Sequence, residues 1–526
     1  MTTRHEHGAL SNHPHCCGSG ACARSLEAGI SRRQFLTASG IALSAMAMSG
    51  LVWQSAFAAD VMAQPAPTRK PLVVKPVLAY ETPTRRPQTS WRNWGGIQTE
   101  QDAQQEVARI KSELDKLQAS ADFPVTFLPI SAVKDPNAML KADDFAKADA
   151  ILLYAAGGPQ SILQAAVDSG KNTLFFLRHR SGPVSLWYEI ISPRFLHDHK
   201  DQLSDKLAAK QVNNEDVVVD NFDEVLWRLR SLCGLKNALG TRIVAIGGPA
   251  GWATPNAPDL ARAKWKLDIQ TVTYEQLAPM LAAALADKAA TKLAADRAAA
   301  YLNDSHVKLE TEKSYVENAF LLEQVFKTVM AQANATALTV NNCMGAIMPI
   351  SKTTACLTLS LLNDAGYLAF CESDFVVIPS GILLSHIAGK PHFLNDPTYP
   401  HDGVITLAHC TSPRKLDGKN LEPVRLVTHF ESDYGASPKV EMRKGQKVTN
   451  IIPDFASNRY VGFLGEIVDS PFLPICRSQI DVAYKVPDLA VATNMPGFHW
   501  ETIYGDYLKE TGYALRKIPI AWHCLG

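Results

Sequence analysis

Glu372 in Cys371-Glu372-Ser373-Asp374, Asp396 in Phe393-Leu394-Asn395-Asp396 and His499 in Gly497-Phe498-His499-Trp500 are the residues of this chain with the most chemistry in them. Two carboxylates and an imidazole can hold one divalent cation and leave coordination positions open for a substrate. Such a set suits acid/base work on a polyol. Oxygen donors with a single imidazole favour Mn²⁺, with Mg²⁺ as the alternative, although Zn²⁺ or Cu²⁺ can compete on affinity. Taken alone, Glu372 reads equally well as an acid capping the following helix or pairing with a lysine.

These residues meet only if the fold brings them together. Glu372 and Asp396 lie at opposite ends of a stretch that reads as strand, helix (379–388), a Gly389-Lys390-Pro391 turn and a second strand. In a parallel α/β layout both acids would sit at C-terminal strand ends, where ligand sites gather. Upstream, a Pro-rich linker (63–71) precedes a strand at 72–79 and a helix at 100–119. Short apolar runs at 150–156 and 173–177 read as buried strands of a parallel sheet. A second set starts at Arg242-Ile243-Val244-Ala245-Ile246 and runs into Gly247-Gly248-Pro249-Ala250-Gly251. That turn lacks the GxGxxG spacing and Pro249 removes a donor, so a plain strand-loop with Trp252 lining a cleft is preferred over a phosphate cradle. Residues 275–302 and 314–333 read as helical and 337–341 as a strand. From Asp396 the pattern becomes short runs, 404–407, 424–430 and 460–467, split by Gly, Pro and Asp, which predicts an antiparallel β domain. The expected organisation is a leader (1–62), the linker (63–71), an α/β domain (72–238), a second α/β domain with the first metal-site acid (239–395) and a β-rich domain (396–526).

The 526 residues, 46% of them hydrophobic, are ample for packed cores, and 52 basic against 52 acidic side chains give no net charge. Nothing in that balance points to nucleic acid or an acidic membrane surface, and a small neutral molecule is the expected partner. Ser31-Arg32-Arg33-Gln34-Phe35-Leu36, an apolar run at 41–52 and Ala56-Phe57-Ala58 form a twin-arginine (Tat) export pattern. It predicts engagement of the Tat machinery, cleavage near Ala58 and a soluble periplasmic or otherwise exported protein, since the apolar run is short for a membrane span. The tract with His5, His7, His13, His15, Cys16, Cys17 and Cys22 has metal-ligand composition but precedes the cleavage point, so it reads as discarded leader. The seven later cysteines, at 233, 343, 356, 371, 410, 476 and 524, are odd in number without repeated spacing, which argues against a disulfide framework. Cys371 and Cys410 read as small buried residues rather than nucleophiles, and His386 and His392 as packed histidines. Trp500 reads equally as a sugar-stacking ring or as core.

Cys371-Glu372-Ser373-Asp374, Gly389-Lys390-Pro391-His392-Phe393-Leu394-Asn395-Asp396, Leu407-Ala408-His409-Cys410, Gly497-Phe498-His499-Trp500 and Ile503-Tyr504-Gly505-Asp506 together resemble the L-fucose/L-arabinose isomerase family. The resemblance covers residue order and spacing from about Ala337 to the C-terminus, and before that rests on domain layout. It implies two Rossmann-like α/β domains followed by a C-terminal antiparallel β-barrel, an active site between the second and third domains, and a homo-oligomer. It also implies that Glu372 and Asp396 are metal-binding carboxylates serving as acid and base, with His499 the third ligand. His409 resembles a second active-site histidine of the arabinose branch; the fucose branch manages with three protein ligands, so its contact with metal stays open. The implied reaction is aldose–ketose isomerisation through a cis-enediol. Epimerisation or elimination at the same metal, or a sugar-binding protein without catalysis, are the alternatives. Family members usually work in the cytoplasm, and an export signal departs from that pattern.

Overall fold

Apolar runs with no polar face must be covered on both sides, and this chain uses them to build two parallel sheets flanked by helices. The structure, a computed structural model, describes residues 50–526 except 93–95, 183, 185, 187–190, 192, 197–211 and 456–457. The twin-arginine motif and the His/Cys-rich tract lie outside the described residues. In the first sheet Leu72–Ala79 is central, with Val125–Phe127 and Ser131–Val133 on one edge and Ala150–Ala155, Asn172–Leu177 and Val217–Val219 following on the other. Helix Glu100–Ser120 covers it. A reciprocal cap between Thr99 and Asp102 starts that helix, and Ala103, Ile110, Leu114 and Leu117 form its buried stripe.

The second sheet runs Leu368–Cys371, Ala337–Val340, Arg242–Ile246, Asp268–Val272, all parallel. The long helical stretch expected over 275–302 is two helices, Tyr274–Ala286 and Lys288–Leu302. Asp287 divides them because its carboxylate accepts the N–H groups of Ala289 and Ala290 at 2.9 and 3.2 Å and so caps a new helix.

The C-terminal part is a closed six-stranded antiparallel barrel in the order Lys447–Asp454, Trp500–Tyr504, Phe393–Pro397, Val404–His409, Ser478–Tyr484, Arg459–Asp469, the last pairing back to the first. Three details differ from the sequence reading. The barrel takes its first strand from Phe393, ahead of the expected boundary at 396. Val424–Val427 stands outside it, in a small sheet with Ser437–Val440 and with Val307–Leu309 from the preceding domain. Leu508–Lys517 is a helix packed on Phe222–Ala238, with Glu510, Thr511, Tyr513, Ala514 and Leu515 buried; it is a single amphipathic element inside an otherwise strand-rich stretch.

The Pro-rich linker is held to the fold. Arg69 donates to the carbonyls of His386 and Ile387 at the end of helix Ile378–Ala388, and Lys70 exchanges two hydrogen bonds with Asn237. The segment before it is docked as well. Ser55–Ala63 is a helix lying on Lys313–Gln332, with Ala58 and Val61 only 2% and 3% exposed. The Trp53 indole N–H reaches Asp287 at 3.1 Å, the Ser55 hydroxyl reaches the same carboxylate, and Gln332 donates to the Val52 carbonyl at 2.8 Å. Ala56-Phe57-Ala58, the expected cleavage point, therefore lies within a packed helix. A chain beginning at Ala59 is expected to be less stable than one beginning at Gly50 by on the order of 1–3 kcal/mol. Asp287→Ala, which removes a cap and both anchors, should lower stability by about 1–2 kcal/mol in urea denaturation. Equal midpoints for the long and short chains would show that the docked segment contributes nothing.

Candidate metal centre

Strand Leu368–Cys371 ends in a turn that L-residues rarely adopt: Glu372 and Ser373 both have positive φ, +65° and +49°. Each such residue costs about 1–3 kcal/mol unless its surroundings fix it. Here they do. The Ser373 N–H donates to Thr339 Oγ1 at 3.1 Å, the Ala250 N–H donates to the Ser373 carbonyl at 3.1 Å, and the Phe375 N–H donates to the Ala250 carbonyl at 3.0 Å. The Asp374 carboxylate accepts the N–H groups of Trp252 and Val376 at 3.2 and 3.1 Å. The loop after Arg242–Ile246 thus clamps the turn that presents Glu372.

The facing residues come from neighbouring barrel strands. Register pairs Asp396 with Ala408, beside His409, and Asn395 with Trp500, so Asp396 falls opposite His499. His499 Nε2 lies 3.3 Å from Glu372 Oε2 and 3.5 Å from Asp396 Oδ1, and His409 Nε2 lies 3.7 Å from Glu372 Oε1. All three residues expected to hold metal, and His409 with them, converge at the junction of second sheet and barrel. Ligand atoms of Asp396, His409 and His499 lie within 4.8 Å of one another, as do those of Cys371, Glu372 and His409. The imidazoles are buried, at 1% and 3% side-chain exposure, whereas the carboxylates reach solvent at 18% and 28%.

Charge in the cluster is tightly coupled. Burial alone would push the Glu372 carboxyl up, but the close imidazoles of His409 and His499 hold it well below the ordinary carboxylate range. Burial pushes Asp396 up to about 6, with the two imidazoles pulling it back only in part. Burial opposes protonation of His409 and His499, yet Glu372 raises the first, and Asp374 with Glu372 raises the second well above an ordinary histidine.

Asp374 is the functional residue that sequence reasoning passed over. Its Oδ2 meets His499 Nδ1 at 2.8 Å, leaving Nε2 for the cluster, the arrangement by which carboxylates orient metal-binding histidines. Its signal was its place two residues after Glu372, in a turn whose geometry the sequence does not reveal. On the other nitrogen side, His409 Nδ1 sits 2.8 Å from the Thr411 hydroxyl.

Trp252 is 43% exposed, with its ring edge-on to His499 and Phe498 at 5.9 and 5.3 Å. Trp500 is fully buried against Phe463, because its strand places it on the opposite face from its neighbour His499. His392 is buried against Phe370 and bonded to Ser385, and His386 meets the linker through its carbonyl. Compared with known proteins, the chain matches no family model and no curated protein at a significant level.

Asp374→Asn should leave the fold intact and weaken Mn²⁺ affinity by about 10–100-fold, the usual effect of losing a carboxylate behind a ligating histidine. Ligation needs neutral imidazole, so Mn²⁺ must displace protons that the carboxylates hold on His409 and His499. Binding is expected to release protons at pH 7 and to weaken as pH falls toward about 6 and below, where Asp396 also takes up a proton. Calorimetric titration in buffers of different ionisation enthalpy reads this directly, and a buffer-independent heat would count against it.

Proposed function

We propose that this protein is a metal-dependent aldose–ketose isomerase that acts on a free sugar through a cis-enediol, in keeping with its resemblance to the L-fucose/L-arabinose isomerases. The observation that carries the reading is the convergence of Glu372, Asp396 and His499 where the second parallel sheet meets the barrel. Asp396 Oδ1 and His409 Nε2 are buried there and make no hydrogen bond, with His499 Nε2 and Glu372 Oε1 at 3.5 and 3.7 Å as their charged neighbours. Buried polar atoms rarely go unpartnered, and a hard divalent cation such as Mn²⁺ or Mg²⁺ fits this donor set. The two parallel sheets suit the pair of Rossmann-like domains that the resemblance implies.

Glu372, Asp396 and His499 would hold the cation, with His409 beside them. When bound, it would supply a Lewis acid for the negative charge of the enediolate. The chain's own groups do the proton work. Asp396, with its proton affinity lifted to about 6, is suited to take the carbon-bound proton from one carbon and return it to the next near neutral pH. Glu372, ionised and open to the cleft, is placed to carry the hydroxyl proton. Trp252 and Phe498 offer an apolar wall for the carbon skeleton of the sugar. The proposal includes export by the Tat machinery and assembly as a homo-oligomer.

The test is a panel of aldoses, ketoses and keto-sugars offered to the Mn²⁺-loaded protein in D₂O, with NMR readout of hydrogen exchange beside the carbonyl. Asp396→Asn keeps an oxygen donor but no base, and exchange should fall by roughly two to four orders of magnitude. Glu372→Gln should lose both bound metal and turnover. Absence of exchange by the wild type with every sugar offered would remove the isomerase reading.

A further inference from the structure

Between Arg33 and Ala63 the alanine-x-alanine pattern that a leader peptidase reads occurs at Ala45-Met46-Ala47 as well as at Ala56-Phe57-Ala58. The fold treats the later pattern as structure. The Ala58–Ala59 bond lies in the middle of helix Ser55–Ala63, and the Ala58 N–H donates to the Gln54 carbonyl at 2.9 Å. Ala58 and Val61 are 2% and 3% exposed, and Leu51 and Trp53 pack against the core of the second domain. The Trp53 bond to Asp287 and the Gln332 bond to the Val52 carbonyl, at 3.1 and 2.8 Å, hold the stretch ahead of the helix. A peptidase takes its substrate extended and exposed, so cutting here requires the helix to unwind and leave Lys313–Gln332 first.

We propose that the leader is cut after Ala47 and that residues 50–63 stay in the mature protein as a clasp on the second domain. The assignment rests on the export reading above. Tat cargo crosses the membrane folded, so the helix is already docked when the peptidase meets the chain. Water adds across the Ala47–Met48 bond, leaving a carboxylate on Ala47 and an amine on Met48. A cut there leaves residues 35–44 as the apolar core behind Arg32-Arg33, in keeping with the length of about 7–15 residues such a core needs. The retained clasp runs on into the linker, where Arg69 holds the end of helix Ile378–Ala388 and Lys70 meets Asn237. It therefore reaches from Lys313–Gln332 to the helix between Glu372 and Asp396.

The full chain is expressed in a bacterium carrying the Tat machinery, and the exported protein is digested with trypsin and sequenced by mass spectrometry. The first peptide of the wild type is expected to run from Met48 to Arg69. Val61→Asp puts a charge at the docked face and Asp287→Ala removes the Trp53 anchor, while neither touches Ala56-Phe57-Ala58. Each should raise the peptide from Ala59 to Arg69 about tenfold, since cleavage follows the population of the open form. A wild-type N-terminus at Ala59, or anywhere other than Met48, would overturn the proposal, and so would an unchanged Ala59 peptide in both variants. Should the variants not fold, the wild-type N-terminus decides alone. A wild type confined to the cytoplasm with its leader uncut removes the export reading instead. The purified precursor is then mixed with leader peptidase in liposomes, where release at Met48 supports the clasp and release at Ala59 overturns it.

Discussion

The ion pair between Asp374 Oδ2 and His499 Nδ1, 2.8 Å long and almost fully buried, is the joint on which the site depends. Either charge alone would be costly to bury, since an unpaired ion in a protein interior loses several kcal/mol of solvation. Paired, they fasten the turn after the second sheet to the barrel. The same bond fixes the imidazole ring, because once Nδ1 is engaged Nε2 has one direction left, toward Glu372 and Asp396. Asp374 can hold that position because its other oxygen accepts two backbone N–H groups. One carboxylate thereby links the Trp252 loop, the strained turn and the barrel histidine.

Close packing between elements keeps this joint from drifting. A Cβ at Gly381, in helix Ile378–Ala388, would lie 2.5 Å from Glu501 Oε1 and 2.6 Å from the Phe370 ring, so the barrel strand carrying Glu501 approaches the helix more closely than a side chain permits. At Gly234 a Cβ would come within 2.3 Å of Ile387 Cγ1 and 2.9 Å of its backbone, bringing helix Phe222–Ala238 onto the same helix. Burial pushes the Glu501 carboxyl at this contact well above its ordinary range. Two glycines thus set the spacing of helix, sheet and barrel, and interiors at this density transmit shifts of even a methyl group.

Much of this was legible in the residues. Strands such as Leu72–Ala79 and Ala337–Val340 are nearly pure apolar runs, and a buried parallel strand has little other reading. The convergence of Glu372, Asp396 and His499 was readable because the intervening stretch is one strand–helix–strand unit, and motif spacing tied His499 to it. What stayed hidden depended on three-dimensional pairing. The break at Asp287 is a competition between helix continuation and a side-chain cap, which the Ala-rich composition masks. Asp374 acquires its role from two consecutive left-handed residues that no side chain there advertises. Trp500 and His499 are neighbours in sequence and occupy opposite faces, an outcome set by strand register. The docking of Ser55–Ala63 was obscured because a small, Ala-rich, weakly apolar segment suits a leader and a buried helix equally.

Charge in the cluster explains how the arrangement can persist with or without a cation. Burial and carboxylate oxygens together draw protons onto His409 and His499, and those imidazolium groups hold Glu372 ionised at close range. Those protons offset part of the carboxylate charge that a divalent cation would offset in their place. Because protons and a cation would act on the same carboxylates, the strained turn and the Asp374–His499 joint could serve either occupant. The proton-bound cluster would then be preorganised for a divalent cation, whose binding would proceed with proton release.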